Sequence, residues 1–587
     1  MAALSSGTSS RIGGMHLLIL GVFLVLLLSP ATCFAPISNG SLLKQTTRNF
    51  DKPSTELYEK KAWTTSLFPV LPPISRVADQ DAKVKNQVVP PLDRGFRQNA
   101  YKQVLAGGIG ILVGLCIAGF KISIEIIREF CYDDLVNYFP IFLIPVVGGI
   151  AVSLLEYIGG GYFPPGVGGV VGEIDLDAMN SNEKGKLREL GDSFRKAWAA
   201  IFTLGTGCSL GPEGPGVEIG IAVSRLGSLA WPQQFDAVTD NELVNTAARV
   251  RRNRLFLACG AAAGVSSGFN APLSGTFFAL EVIQRNLPPT IIPSPAPPVP
   301  LASLADDEIV DVEGGGEGQV EDMPASFELL QDSLTAETGS ITAILTSSVL
   351  AALISRALLG NELALGLLEY EIQTPLLELP LYLILGLASG ITAVVFSQAA
   401  KLAKETFDSI EVLPSPAKPV IGGLVCGVTG IYFPQILFFG YETLNGLLEN
   451  RTLPTDVVLS LLAAKLFTTA VSAGSGLVGG TLAPSLFMGG MVGASFHNVV
   501  IGTLEDVFHV STDPSLSFFV LADVPAYAMV GAASTLAAIF RAPLTAALLA
   551  FEITRDYDIL LPLIASAASS TLICDLVEER IESARFK

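Results

Sequence analysis

Gly205-Thr-Gly-Cys-Ser-Leu-Gly-Pro-Glu213-Gly-Pro215 sets one carboxylate among helix-breaking glycines and prolines, inside otherwise apolar surroundings. A carboxylate at bilayer depth costs roughly 2.5–3.5 kcal/mol on insertion scales, so an acid kept there marks a functional site. No helix passes smoothly through Gly211, Pro212, Gly214 and Pro215. The chain is therefore expected to break here and present backbone N–H groups at a new helix N-terminus, which attracts anions. The stretch predicts an ion pathway.

Outward from it, the composition is that of a membrane protein. Of 587 residues, 50% are hydrophobic and 16% charged, and the mean hydropathy is +0.53, which reads as a polytopic membrane chain and not a soluble globule. Apolar runs near 104–120, 139–158, 341–359, 380–400 and 455–472 are long enough, or nearly so, to cross ~30 Å of hydrocarbon. Shorter glycine-rich runs lie between them. Paired broken segments of this kind, in corresponding parts of two halves, point to a transporter or channel site.

The net charge of −19 is concentrated in one place: from Asn286 to Ser355, eleven acids precede any lysine or arginine. Residues 287–338 begin with a proline-rich run and pass into an acidic, glycine-rich stretch, the composition of a disordered loop. A solvated loop explains the charge without a basic partner, and nothing in the chain points to nucleic acid. Seven cysteines stand singly at 33, 116, 131, 208, 259, 426 and 574, and His16, His497 and His509 are scattered. Neither a disulfide framework, a metal site nor a cofactor is expected.

At the N-terminus, Arg11 precedes an apolar run over Leu17–Leu28 and then small residues up to Cys33, the pattern of a signal peptide over 1–33. Phe34-Ala35-Pro36 resembles the cleavage motif of bipartite plastid presequences in algae with secondary red-type plastids. Ser41 to Lys61 is rich in Ser and Thr, with more basic than acidic residues. Residues 34–95 thus read as a transit-like segment and tail, with plain endomembrane delivery as the alternative.

The chain also repeats itself. Phe269-Asn-Ala271-Pro272-Leu273, with Glu281 nine residues past the proline, returns as Phe540-Arg-Ala542-Pro543-Leu544 with Glu552 at the same spacing, an offset of 271. At an offset of 269, Gly211-Pro-Glu-Gly-Pro215 faces Gly480-Thr-Leu-Ala-Pro484. Two halves carrying matching broken segments are expected to meet near the midplane, with ion sites where half-helix termini converge.

These residues resemble the CLC family of chloride channels and anion/proton antiporters. Gly211-Pro-Glu213-Gly-Pro215 matches its Gly-x-Glu-Gly-Pro motif and Gly480-Thr481-Leu482-Ala483-Pro484 its Gly-x-Phe-x-Pro motif. The Asn-Ala-Pro-Leu helix at 270–273 and Arg555-Asp-Tyr557-Asp-Ile-Leu-Leu-Pro562 follow in family order, and Pro164-Pro165-Gly166-Val167-Gly168 is a weaker match to Gly-Ser-Gly-Ile-Pro. The resemblance implies an all-α polytopic membrane fold with inverted-topology repeats and broken, re-entrant helices. It implies a homodimer in the lipid bilayer, each subunit with its own pore for chloride. On that pattern, membrane domain occupies 96–286 and 339–577, separated by the loop 287–338 and followed by a tail at 578–587. Glu213 becomes the gate and proton acceptor, since its ionised carboxylate can block an anion site and its protonated form can swing away. The anion-binding positions become Pro165, Gly166, Val167, Gly211, Gly214, Thr481 and Leu482, with Tyr557 donating its hydroxyl to the central anion. Helix termini suit this role because conduction needs weak, multiple sites.

Three departures from the family bear on mechanism. Antiporters carry a proton-relay glutamate where this chain has Val282, next to Glu281, and valine cannot carry a proton; this favours a channel, gated by voltage or pH, over a proton-coupled antiporter, although Glu281 or a water chain could substitute. Pro165 stands where chloride-selective members have serine and nitrate-preferring plant members have proline, which brings nitrate in as a second candidate anion. Pro212 replaces a Lys or Arg, removing a positive charge and an N–H beside Glu213, so the outer anion site is expected to be weak. Leu482 replaces phenylalanine, a change in packing. The chain ends about thirty residues beyond Tyr557, so the nucleotide-sensing CBS domains of many relatives are not expected. An unrelated membrane enzyme is the remaining alternative, and it would need a second catalytic group near Glu213; the chain is not expected to be an enzyme.

Overall fold

The computed structural model describes residues 94–134, 139–160, 163, 166, 183–232, 235, 242–284, 325–360, 378–410, 414–508 and 522–585. The chain divides into two units, one of Met1–Pro30 with Tyr101–Lys587 and the other Ala31–Ala100, the latter described only over its helical residues 94–100. The expected signal peptide at 1–33, and the transit-like segment up to residue 93, lie outside the described residues.

Among the described residues the architecture is helical throughout, without a strand. The first half holds α1 (Arg94–Glu129), α2 (Ile144–Ile158), α3 (Glu183–Gly205), α4 (Glu213–Ala230), α5 (Glu242–Phe269), the short α6 (Pro272–Phe278) and α7 (Ala325–Leu359). The second holds α8 (Leu379–Ser409), α9 (Ala417–Tyr432), α10 (Tyr441–Leu448), α11 (Thr455–Gly474), α12 (Leu482–Phe508), α13 (Val524–Phe540), α14 (Pro543–Thr554) and α15 (Leu560–Arg585). Seven helices among the described residues are long and apolar enough to cross a membrane, including the five runs expected from hydropathy. Their outer faces carry exposed Leu154, Ile384, Ile391, Phe467 and Leu572, large side chains that suit contact with lipid. This is a multi-pass membrane protein.

Two edges differ from expectation. Helix α7 starts at Ala325, inside the 287–338 stretch expected as loop, because Phe327, Leu330 and Leu334 recur at helical spacing within the acidic sequence. Helix α15 runs on to Arg585, past the boundary at 577, so the tail continues the last span without a break.

The duplication is visible atom by atom. Helices α4 and α5 cross at Gly220 and Gly260, where a Cβ on either glycine would stand 2.1–2.2 Å from the other's carbonyl oxygen. Helices α12 and α13 cross in the same way at Gly489 and Gly531, with 2.3–2.4 Å. These positions are offset by 269 and 271, as the motifs are. Small residues let two backbones approach closely where lipid supplies no hydrophobic drive to bring helices together.

Each half also turns on an Ala-Pro step. Asn270 and Arg541 both take left-handed φ, +64° and +53°, and the next N–H reaches back to close the preceding helix, Ala271 to Ser266 and Ala542 to Ala537. The prolines then open α6 and α14, where a missing N–H costs nothing. Glu281 and Glu552 join the halves. Glu281 accepts from Leu544 N (3.1 Å), Thr545 N (2.7 Å) and Thr545 Oγ1 (2.6 Å) at the start of α14. Glu552 accepts from Leu273 N (3.0 Å), Ser274 N (2.8 Å) and Ser274 Oγ (2.6 Å) at the start of α6. Each glutamate caps the other repeat's half-helix, satisfying donors that the proline-led turn leaves open.

Candidate functional site

Helix α3 stops at Gly205, Gly207 turns the chain at φ +88°, and α4 restarts at Glu213 behind Pro212. The second repeat breaks alike, α11 ending at Gly474 and α12 starting at Leu482. The two breaks are bonded to each other: Gly211 N donates to Gly480 O, and Gly480 N to Gly211 O, both at 2.7 Å. Gly214 lies against Gly480, where a Cβ would come within 2.7 Å of the Gly480 Cα. The first intrahelical bonds also correspond, Gly216 N to Pro212 O and Ser485 N to Thr481 O, both 2.9 Å. Two helix N-termini, one from each repeat, thus meet at one place, each offering partial positive charge.

Glu213 is the side chain at that meeting point. It is 3% exposed. Its Oε1 accepts a hydrogen bond from the Tyr441 hydroxyl, which comes from α10. Its Oε2 turns toward Ala483 N across Gly211, the Cβ point of Gly211 being 2.5 Å from that oxygen and 3.3 Å from that nitrogen. Oε2 has no hydrogen-bond partner among the described residues. A carboxylate held at a foreign helix N-terminus, half satisfied, occupies a place that a free anion can equally fill.

Two cavities of about 530 Å³ each flank the first turns of α4. One is lined by Glu213, Tyr441, Lys121, Glu125 and Asn270. The other is lined by Gly166, Pro215, Gly479, Lys196 and Glu218, the last two paired at 2.9 Å. Pro212 and Glu213 border the first cavity and Pro215 and Gly479 the second, so both cavities abut the paired glycine breaks.

Of the residues singled out from sequence, Glu213, Gly211, Gly214, Thr481 and Leu482 come together here, Leu482 buried at 5% exposure against the core that holds Val217. Gly166 sits at the second cavity. Pro165 and Val167 lie outside the described residues. Tyr557 stands at the turn between α14 and α15, 77% exposed and edge-on to Phe551, and is not among the residues that line these two cavities. The phenol that meets Glu213 is Tyr441, which sequence reasoning missed; the sequence shows only a Gly440-Tyr441 step, and the left-handed φ of that glycine at the start of α10 emerges from the fold. Val282 is half-buried and packs on the central apolar core, and Glu281 is committed to the α14 cap.

A buried, broken-helix site between two inverted repeats defines a class of membrane protein that handles small ions. Family comparison agrees with that class. The family described as voltage gated chloride channel (Voltage_CLC) matches residues 161–296 and 326–575, and this chain belongs to it. The chain is 31% identical over 541 residues to the chloride channel protein CLC-e of Arabidopsis thaliana, covering 88% of this chain and 64% of that one. It thus spans under two thirds of that relative's length. It is 25% identical over 484 residues to the H(+)/Cl(-) exchange transporter ClcA of Vibrio campbellii, covering 81% of this chain and 86% of the relative. A crystal structure of a slow cyanobacterial Cl-/H+ antiporter shares the fold, with a TM-score of 0.60 at 20% identity over 81% of this chain and 95% of that one.

Proposed function

We propose that this protein is an anion channel, passing chloride and also nitrate, whose path is closed by the ionised Glu213 carboxylate and opened by its protonation or by voltage. The observation that carries the reading is the placement of Glu213, buried at the N-terminus of a helix from the other repeat with one oxygen unsatisfied. A bare anion there gains the same two helix termini and the Tyr441 hydroxyl. Conduction without coupled protons is supported by Val282, which cannot carry a proton, and by Glu281, whose carboxylate accepts three hydrogen bonds from α14 and is not free to replace it. The second reading is a proton-coupled antiporter, favoured by the likeness to ClcA, which is named as an exchanger.

The remaining assignments belong to the same proposal. The protein works as a homodimer, residues 1–33 and 34–95 deliver it to a plastid membrane, and 96–286 with 339–577 form the conducting body. Light scattering of the purified protein and the location of a fluorescent fusion to residues 1–95 check the first two. For transport, the protein is reconstituted in liposomes with an outward chloride gradient while external pH is followed, and the assay is repeated with nitrate and with Glu213→Ala. Anion flux without proton movement is expected. Uphill proton movement abolished by Glu213→Ala makes it an antiporter.

A further inference from the structure

The loss of a cation at Pro212 implied a weak outer anion site, yet a different cation enters the same cavity. Lys121, from α1, lines it together with Glu213 and Tyr441. Its Nζ donates to Gly268 O at 2.5 Å and Ser267 O at 3.4 Å, the last carbonyls of α5. Those bonds fix the ammonium on the cavity wall and use two of its three donors. They do not neutralise it, because carbonyls carry only partial charge. The other acids on this cavity are Glu125, paired with Arg128 at 2.8 Å, and the exposed Glu129, one turn further toward the end of α1. The α4 and α10 sides contribute Glu213 and the Tyr441 hydroxyl.

We infer that Lys121 and Tyr441 are side-chain ligands of the outer anion position, so that α1 and α10 supply what the proline at 212 withdrew from the loop. With Glu213 in place, the Tyr441 hydroxyl donates to its carboxylate. When Glu213 withdraws, the same hydroxyl donates to the incoming chloride or nitrate. Lys121 holds a unit positive charge over that position from behind. An ammonium in direct line with the pore binds an anion too firmly to release it, whereas one anchored on carbonyls at the wall raises local anion concentration and leaves the exit free. The two cavities then differ in kind: in the second, Lys196 is already paired with Glu218.

This inference rests on Glu213 as the occluding group, and its test separates the two. Chloride binding to the purified full chain is measured by titration calorimetry in the native protein, in Glu213→Gln, and in Glu213→Gln combined with Lys121→Met, Lys121→Arg or Tyr441→Phe. Glu213→Gln is expected to bind chloride more tightly than native. Adding Lys121→Met is expected to lower that affinity about tenfold, the effect of removing one unit charge from a partly wet site. Lys121→Arg, which keeps both the charge and the α5 cap, is expected to stay within about threefold of the parent, and Tyr441→Phe to lose about fivefold for one hydrogen bond. Lys121→Met and Tyr441→Phe binding chloride as their parent does overturns the inference and leaves Lys121 as a helix cap alone. No gain from Glu213→Gln itself overturns the gate reading on which it depends. Should Lys121→Met fail to fold, the arginine and phenylalanine variants still decide, because a flat Tyr441→Phe result contradicts the shared-donor geometry.

Discussion

The two helix breaks share a backbone pattern, and of the three side chains in which they differ one is ionisable. Gly211 and Gly480 exchange hydrogen bonds of equal length, and the first residues of α4 and α12 stand in corresponding places. At that place the first repeat has Glu213 and the second has Leu482. A few helices away, the opposite holds: Glu281 and Glu552 both survive and cap each other's half-helix with the same set of three bonds. The contrast separates architecture from function. Where both repeats keep an acid, it closes the fold; where only one keeps it, the acid is left buried with one oxygen unpartnered at the meeting point of the two breaks, the place proposed for the gate.

The comparison can be broken first at the caps. Glu281→Ala and Glu552→Ala each strand two backbone N–H groups and a hydroxyl, so each is expected to destabilise the protein by roughly 2–4 kcal/mol, by similar amounts. Thermal unfolding in detergent measures this; one cap mattering far more than the other would end the claim that the acids are equivalent. Next come the glycine crossings. Gly260→Ala and Gly531→Ala drive a methyl group against a facing carbonyl, at an expected cost of about 1–3 kcal/mol each, again in parallel. Smallest is Tyr441→Phe. Losing the phenol removes a donor that favours the ionised gate, so half-maximal chloride flux is expected at a pH higher by about 1, with the fold unharmed.

Much of this was legible in the chain. Hydropathy located five spans, and the repeated Phe-x-Ala-Pro-Leu words with their glutamates disclosed the duplication, because a turn of left-handed φ followed by a proline-led helix demands the same residues twice. What the spacing could not give was the partner of each glutamate, which lies some 263 to 279 residues away. Nor could it give Tyr441 or Lys121, ordinary residues of ordinary helices until tertiary packing turns them into one cavity. Tyr557 took its expected role from the family resemblance, and the fold shows it at the turn before α15, 77% exposed. The start of α7 was hidden by acidic composition, which describes solubility better than it describes backbone.

The central claim is that proton sensitivity resides in Glu213 and in no other acid of the repeats. Its most direct test is chloride flux into liposomes between pH 5 and 8, for the native protein and Glu213→Gln side by side. Flux that rises as pH falls in the native protein, and that is high and flat across the range in Glu213→Gln, is the predicted result. A Glu213→Gln protein that still follows pH as the native one does would contradict it.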